Sequence, residues 1–253
     1  MFADTDLTCD GFLDGRLNVR QPRNGYRAGV DPVLLAAAAP AVAGQSILEL
    51  GCGVGVASLC LANRVPGLVM TGVEIQPEYA ELAVRNATEN GVSLTVCNAN
   101  LANLPADLRA QDYDHVIANP PYFEAAKRSS AIDAGRELAL AGSTPLADWF
   151  DCAARRLAPR GYLTMIQNAD RLRDMLMSMD HRLGSIIVQP IAPRRNRAAH
   201  LVIVQARKSG RAALILNAPI VMHEGEAHTV DGESYTPMIR DVLRNGAPFY
   251  LRR

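Results

Sequence analysis

Asn119, Pro120, Pro121 and Tyr122 follow directly on the apolar run Asp114–Ala118. Both prolines fix φ and lack an N–H, so a strand cannot continue through them, and Asn119, standing before a proline, is held extended. A stiff loop thus offers a side-chain amide and an aromatic ring at a strand end. That pair suits a planar ligand with N–H groups to donate. An aromatic exocyclic amine or a side-chain amide is a poor nucleophile because its lone pair is delocalised. If Asn119 accepts one N–H through its side-chain oxygen and the backbone carbonyl of Pro120 accepts another, the nitrogen pyramidalises and can direct its lone pair at an electrophile. Preorganised groups of this type are worth ~3 kcal/mol each, and holding the reactants in line adds a proximity contribution. Tyr122 would stack on the planar group for roughly 1–3 kcal/mol, with Phe123 extending that wall.

A second set lies in LELGCGVG, where Gly51, Gly53 and Gly55 come directly after an apolar run and before a helical one. Glycines there permit a tight turn and close approach of backbone to a ligand. Glu74 ends the next apolar run, 19 residues after Gly55, where a carboxylate can accept from ribose hydroxyls. A dinucleotide brings an anionic pyrophosphate, which favours donors or cations. This neighbourhood instead offers Glu49, Glu74 and Asp31, with no lysine or arginine in the loop. Carboxylates suit a cation, and S-adenosylmethionine, with its sulfonium and α-ammonium groups, meets that description better than NAD. Many NAD sites also carry an acid at the second strand, so the acidity alone does not decide.

The elements that must position these residues alternate. Strands are expected at 45–50, 68–74, 92–97, 114–118 and 161–167, and helices at 56–64, 77–90 and 145–158. Such alternation implies parallel pairing. In a sheet of order 3-2-1-4-5 the first and fourth strands are neighbours, and ligands bind between their carboxyl ends. GCGVG leaves the first strand and Asn119 leaves the fourth, so both loops should share one crevice. After a helix at 169–180, the segments 185–191 and 199–207 are joined by APRRNRA with no room for a crossover, which predicts an antiparallel hairpin at one edge. The fold class expected is α/β, a doubly wound, mostly parallel, Rossmann-like sheet of seven strands. The connection 124–143, long and next to the candidate site, is expected to be mobile, either a lid or a disordered segment.

The 253 residues suffice for a proper core, and 49% hydrophobic with 21% charged residues is ordinary globular composition. The longest apolar run, VLLAAAAPAVAG, is broken by Pro40 and is shorter than the ~20 residues a membrane span needs. The acidic start MFADTDLTCD does not resemble a secretory signal, so the cytoplasm is the compartment expected. Cys9, Cys52, Cys60, Cys97 and Cys152 form no C-x-x-C pair, and no metal site is expected. Net charge is zero but divided: 10 lysines and arginines face 18 acids up to Ala154, then 16 face 8. The basic half permits a polyanionic partner. Arg194, Arg195 and Arg197 in the hairpin turn, with Arg207, Lys208 and Arg211 after it, are the candidate phosphate contacts.

With these motifs the sequence resembles the class I S-adenosylmethionine-dependent methyltransferases. Within them it resembles the Asn-Pro-Pro-Tyr group that methylates planar nitrogens. LELGCGVG looks like the cofactor loop, GVEIQPEYAELAVRNA the ribose segment and DHVIANPPYF the catalytic motif. More closely, the chain is similar to the bacterial tRNA (adenine-N6)-methyltransferases that modify an adenosine beside the anticodon of a valine tRNA. GYRAGVDPVLLAAA is similar to that family's leading segment, whose aspartate, here Asp31, lies by the cofactor. The resemblance covers roughly residues 20 to 207. It implies an N-terminal segment and helix packed on the catalytic domain (1–44), a class I methyltransferase domain (45–207) and a C-terminal extension (208–253). One departure stands out. The family's usual aspartate after the third strand holds the cofactor's adenine; here CNANLANL offers Asn98 and Asn100 instead, and Asn100 could accept from the adenine amine through its oxygen.

The implied activity is methylation of an adenine N6 in RNA, with a tRNA as the partner. A glutamine-amide methyltransferase acting on a protein such as a release factor would use the same four-residue motif. Those enzymes generally carry a separate helical domain first, whereas only about 45 residues precede the glycine loop here. A third possibility is a non-catalytic cofactor-binding module that presents its basic half to RNA.

Overall fold

The computed structural model describes residues 2–121, 144–225 and 234–251. The strands β3 (Ser46–Leu50), β4 (Val69–Glu74), β5 (Leu94–Asn98), β6 (Tyr113–Ala118) and β7 (Leu157–Asn168) form a parallel sheet in the order β5-β4-β3-β6-β7. Between them run α2 (Val56–Arg64), α3 (Pro77–Glu89), α4 (Ala106–Arg109) and α5 (Leu146–Arg156). Alternate residues of one strand feed different cores. On β3, Ile47 packs into one cluster and Leu48 into the other; on β6, Ile117 and Val116 divide in the same way. Burial on both faces explains why these strands read as unbroken apolar runs.

After α6 (Leu172–Ser178), β8 (Leu183–Ala192) and β9 (Leu201–Lys208) form the expected antiparallel hairpin, with β9 inserted between β7 and β8. Two further strands of two residues each, β10 (Ile215–Leu216) and β11 (Ile220–Val221), run parallel along the free edge of β8. They bring the sheet to nine strands. Gln189 Nε2 helps to hold this edge by donating to Ala218 O at 2.8 Å.

The termini cover one face. β1 (Leu7–Phe12) and β2 (Leu17–Pro22) form a separate antiparallel hairpin that sequence patterning had not indicated. The free edge of β2 is closed by side chains rather than by another strand: Asn86 in the last turn of α3 and Asn90, its C-cap, exchange hydrogen bonds with the backbone of Arg20 and Asn18. Pairing those backbone groups removes an exposed edge. At the other terminus α7 (Pro237–Asn245) packs near α1 (Asp31–Ala38), and Phe249 N donates to Ala37 O at 3.0 Å.

Candidate active site

Leu50 of β3 pairs with Ala118 of β6, so Gly51 and Asn119 leave neighbouring strands side by side. β3 is also where the sheet order reverses, which opens a crevice at the carboxyl ends. Two cavities occupy it. A larger one of ≈ 300 Å³ is bounded by Glu74, Gln76, Tyr79, Asn100, Pro121 and Trp149, and a smaller one of ≈ 40 Å³ by Pro32, Glu49 and Ala57. Tyr26, Gly51, Gly53 and Asn119 line both. Asn119 therefore stands at their junction.

The glycine turn requires its glycines. Gly51 has φ +64°, and a Cβ there would lie 2.5 Å from the Trp149 ring. Gly55 precedes α2 with φ +90°. The turn is tied to β4: Cys52 N donates to Val73 O, and Gly53 N donates to Glu74 Oε2 at 2.9 Å. Gln76 N donates to Glu74 Oε1, also at 2.9 Å. Each Glu74 oxygen thus accepts at least one backbone N–H, and the carboxylate keeps further acceptor capacity.

Desolvation dominates the acids. Glu74, 6% exposed, has its pKa raised by burial against the opposing effect of its backbone bonds. Glu49, 3% exposed, accepts from Ser58 N at 3.0 Å and Ser58 Oγ at 2.5 Å, yet burial still pushes it up to about 8. No lysine or arginine lines either cavity among the described residues. Buried carboxylates without a neighbouring cation fit a positively charged ligand.

Tyr26 was not singled out by sequence, although it lies in the segment that carries Asp31. Its residue surface is 45% exposed, but its hydroxyl end turns into the crevice, where Asn119 Nδ2 donates to it at 3.4 Å. Desolvation of that hydroxyl, then Asp31 and Glu49, push its pKa up and keep it protonated. The β1–β2 hairpin braces this segment. Gln21 Oε1 accepts from Ala28 N at 2.7 Å, and Arg27 is paired with Asp10 at 2.6 Å. Tyr79 of α3 donates to and accepts from the backbone of Tyr26 itself.

Beyond β6, Asn119 Oδ1 is buried with no hydrogen-bond partner among the described residues. The Pro120 carbonyl accepts from Gln167 Nε2 at 3.1 Å. Tyr122, Phe123 and the 124–143 connection lie outside the described residues. Asp31 opens α1 and acts on the Tyr26 hydroxyl through its charge. Asn100 lines the larger cavity, but its Oδ1 already accepts from Ala102 N at 2.9 Å.

Strand direction sorts the basic residues. Leu201, at the start of β9, is opposite Asn168 at the end of β7, so the β8–β9 turn shares the carboxyl end with the crevice. Arg195 and Arg197 are exposed in that turn. Arg194 instead donates to the carbonyls of Glu224 and Gly225, clamping the C-terminal segment. Arg207 and Lys208, the candidate phosphate contacts that follow the turn in sequence, belong to the opposite end. Arg207 stands opposite Tyr162 and donates to Arg160 O, and Lys208 donates to Leu157 O. Antiparallel pairing returns β9 to the amino ends of the parallel strands.

Residues 29–187 match the family model described as "Methyltransferase small domain". A Porphyromonas gingivalis protein named tRNA1(Val) (adenine(37)-N6)-methyltransferase is 34% identical over 71% of this chain and 73% of its own length. An Aeromonas hydrophila protein of the same name is 28% identical over 96% and 98%. Among solved structures, an Agrobacterium tumefaciens protein described as a predicted O-methyltransferase superposes with a TM-score of 0.70 and 27% identity, over 87% of this chain and 98% of the other. A Thermus thermophilus 16S rRNA N2 G1207 methyltransferase, solved with AdoMet and guanosine, has a TM-score of 0.54 and 16% identity over 80% and 50%.

Proposed function

Because the chain belongs to the methyltransferase small-domain family, we propose that this S-adenosylmethionine-dependent enzyme methylates N6 of an adenine in RNA, and that the RNA is a tRNA. The observation that carries the reading is Asn119 Oδ1, a buried acceptor with no partner among the described residues, at the junction of two cavities. Leaving such an atom unpaired costs roughly 1–3 kcal/mol, which a donor in the crevice would recover.

When bound, S-adenosylmethionine supplies a methyl group activated by its sulfonium charge. On this reading Glu74 takes the ribose hydroxyls with its remaining lone pairs, and Glu49 and Asp31 provide negative charge for the cationic part. Asn100, engaged as a cap through Oδ1, retains its Nδ2 donors and a second oxygen lone pair for the adenine ring.

Asn119 Oδ1 accepts one hydrogen of the substrate amine and Pro120 O the other. This draws the nitrogen lone pair out of conjugation and stabilises the positive charge that develops as nitrogen bonds to carbon. The product ammonium then loses a proton to water, so no side-chain base is needed. Tyr122 and Phe123 are the proposed stacking partners of the base. A hydroxyl nucleophile would have little use for the acceptor pair, which favours nitrogen over the oxygen chemistry ascribed to the Agrobacterium protein.

The exposed Arg195 and Arg197, on the same end of the sheet, meet the phosphates of an anticodon loop. There an unpaired base is extruded at low cost. Relatives named for adenine 37 of tRNA1(Val) support that choice of RNA. Among the described residues no helix is long and apolar enough to cross a membrane; a tRNA substrate assigns the enzyme to the cytoplasm. The test is nucleoside mass spectrometry of tRNA incubated with enzyme and S-adenosylmethionine. N6-methyladenosine is the expected product. Methyl recovered on ribose or on another base position, or no methylated nucleoside while labelled methyl from a cell lysate appears on a protein glutamine amide, would refute the assignment.

A further inference from the structure

Gln167 lies near the carboxyl end of β7 and is 0% exposed. Val202 stands opposite it on β9, and buried Met165 and Ile166 precede it. In such surroundings an amide costs roughly 1–3 kcal/mol unless its polar atoms are paired. Asn168 N donates to Gln167 Oε1 at 2.8 Å, and Gln167 Nε2 donates to Pro120 O at 3.1 Å. The amide cannot be turned around. A backbone N–H only donates and must face Oε1, while a carbonyl only accepts and must face Nε2. Both constraints agree.

Pro120 O is the acceptor that the transfer needs beside Asn119 Oδ1. Sheet pairing with β7 has ended at Ala118, so no ladder bond holds the Pro120 carbonyl. Gln167 takes one of its two lone pairs and leaves the other for the substrate amine. We propose that Gln167 is a positioning residue that aims the Pro120 carbonyl at the nitrogen being methylated. The proposal deepens the function given above and rests on it.

Gln167→Glu preserves the side chain's shape and replaces the donor by an oxygen. Ionised, that oxygen repels the carbonyl. Protonated, it donates as glutamine does, while the other oxygen still accepts from Asn168. Burial raises a carboxyl pKa, which brings the change into the working pH range. Val202, Pro120 and Asn168, which face this side chain from β9, the β6 loop and its own strand, carry no charge.

The measurement is the single-turnover rate on a tRNA transcript, as a ratio of wild type to variant across pH, with S-adenosylmethionine affinity measured in parallel. At high pH the expected ratio for Gln167→Glu is on the order of 10–100, falling towards unity as pH is lowered, with cofactor affinity within about twofold of wild type. Gln167→Leu should lose rate to a similar extent and recover none of it at low pH. A ratio for Gln167→Glu that is flat with pH, a wild-type rate in Gln167→Leu, or loss of cofactor binding in either folded variant overturns the proposal. Should Gln167→Glu fail to fold, Gln167→Leu decides: lost rate with cofactor binding retained supports the proposal. A wild-type enzyme that binds cofactor but methylates no tRNA overturns the functional reading itself, and this role with it.

Discussion

The two ends of the central sheet put the same strands to different uses. At the amino ends of β3, β6 and β7, polar groups close on one another. Asp114 accepts from Ser46 N and Oγ at 2.9 and 3.0 Å, and His115 Nε2 lies 2.8 Å from Gln45 Oε1. Tyr162 stacks on His115, and the Arg207 guanidinium lies 5.5 Å from its ring centroid. Burial holds the His115 pKa down to about 4, so the ring stays neutral. At the carboxyl ends, Glu49, Glu74 and Asn119 also lie in confined surroundings, but they face cavities in which acceptor capacity is left over. Buried polarity alone does not mark a site. His115 Nδ1 is also buried without a partner among the described residues, but it lines neither cavity; what marks the site is unconsumed acceptor capacity that faces one.

The sharpest way to break this contrast is Asn119→Ala. Losing one preorganised acceptor should lower the turnover rate by on the order of 10²–10³-fold, while titration calorimetry finds S-adenosylmethionine binding retained. A wild-type rate would transfer the chemistry to another group. Next comes Gly51→Ala, which adds a Cβ at φ +64° against Trp149. Strain on the order of 1–3 kcal/mol should lower the melting temperature and weaken cofactor binding together.

Glu49 sharpens the comparison through pH. Its pKa is raised from 4.5 to about 8, so across that window the folded state binds more protons than the unfolded one. Apoprotein stability should fall as pH rises through it. A cation beside Glu49 favours the ionised form, so S-adenosylmethionine affinity should climb with pH and level off above about 8, by up to about tenfold per unit. Glu49→Gln should flatten both profiles, as thermal melts and calorimetry across pH can record. An unchanged affinity slope in Glu49→Gln would separate this acid from the ligand's charge.

The smallest effect compares the two groups of arginines. Arg195→Ala and Arg197→Ala should each reduce the slope of log affinity for tRNA against log salt by about 0.7–0.9. Arg207→Ala, at the amino end, should leave that slope unchanged. Equal effects from both ends would mean that the RNA spans the sheet.

Much of this arrangement was legible before any coordinates. α2 spans Val56–Arg64 as read from sequence, because Gly55 fixes its start and a helical repeat follows. The Asn119 and Gly51 loops meet because strand order follows from alternation and connection rules. The β1–β2 hairpin escaped notice, although Asp14-Gly15 between two short alternating stretches was its signal. β10 and β11 lie in the apolar patch LILNAPIVMH, which shows no strand period because they are two-residue strands created by the edge of β8. Tyr26, Trp149 and Gln167 were equally hidden. Gln167 acts on a carbonyl 47 residues away in the chain, and no local pattern encodes such a contact. The separation of Arg207 from Arg195 and Arg197 was not legible either, because a charge count does not record which way a strand runs.

The most direct test of the account is a crystal structure of the enzyme with S-adenosylhomocysteine and an adenosine-containing RNA fragment. The prediction is an extruded adenine whose N6 lies within about 3.2 Å of both Asn119 Oδ1 and Pro120 O, facing the cofactor sulfur. A base bound elsewhere, or an Asn119 oxygen bonded to the cofactor instead of the base, would contradict it.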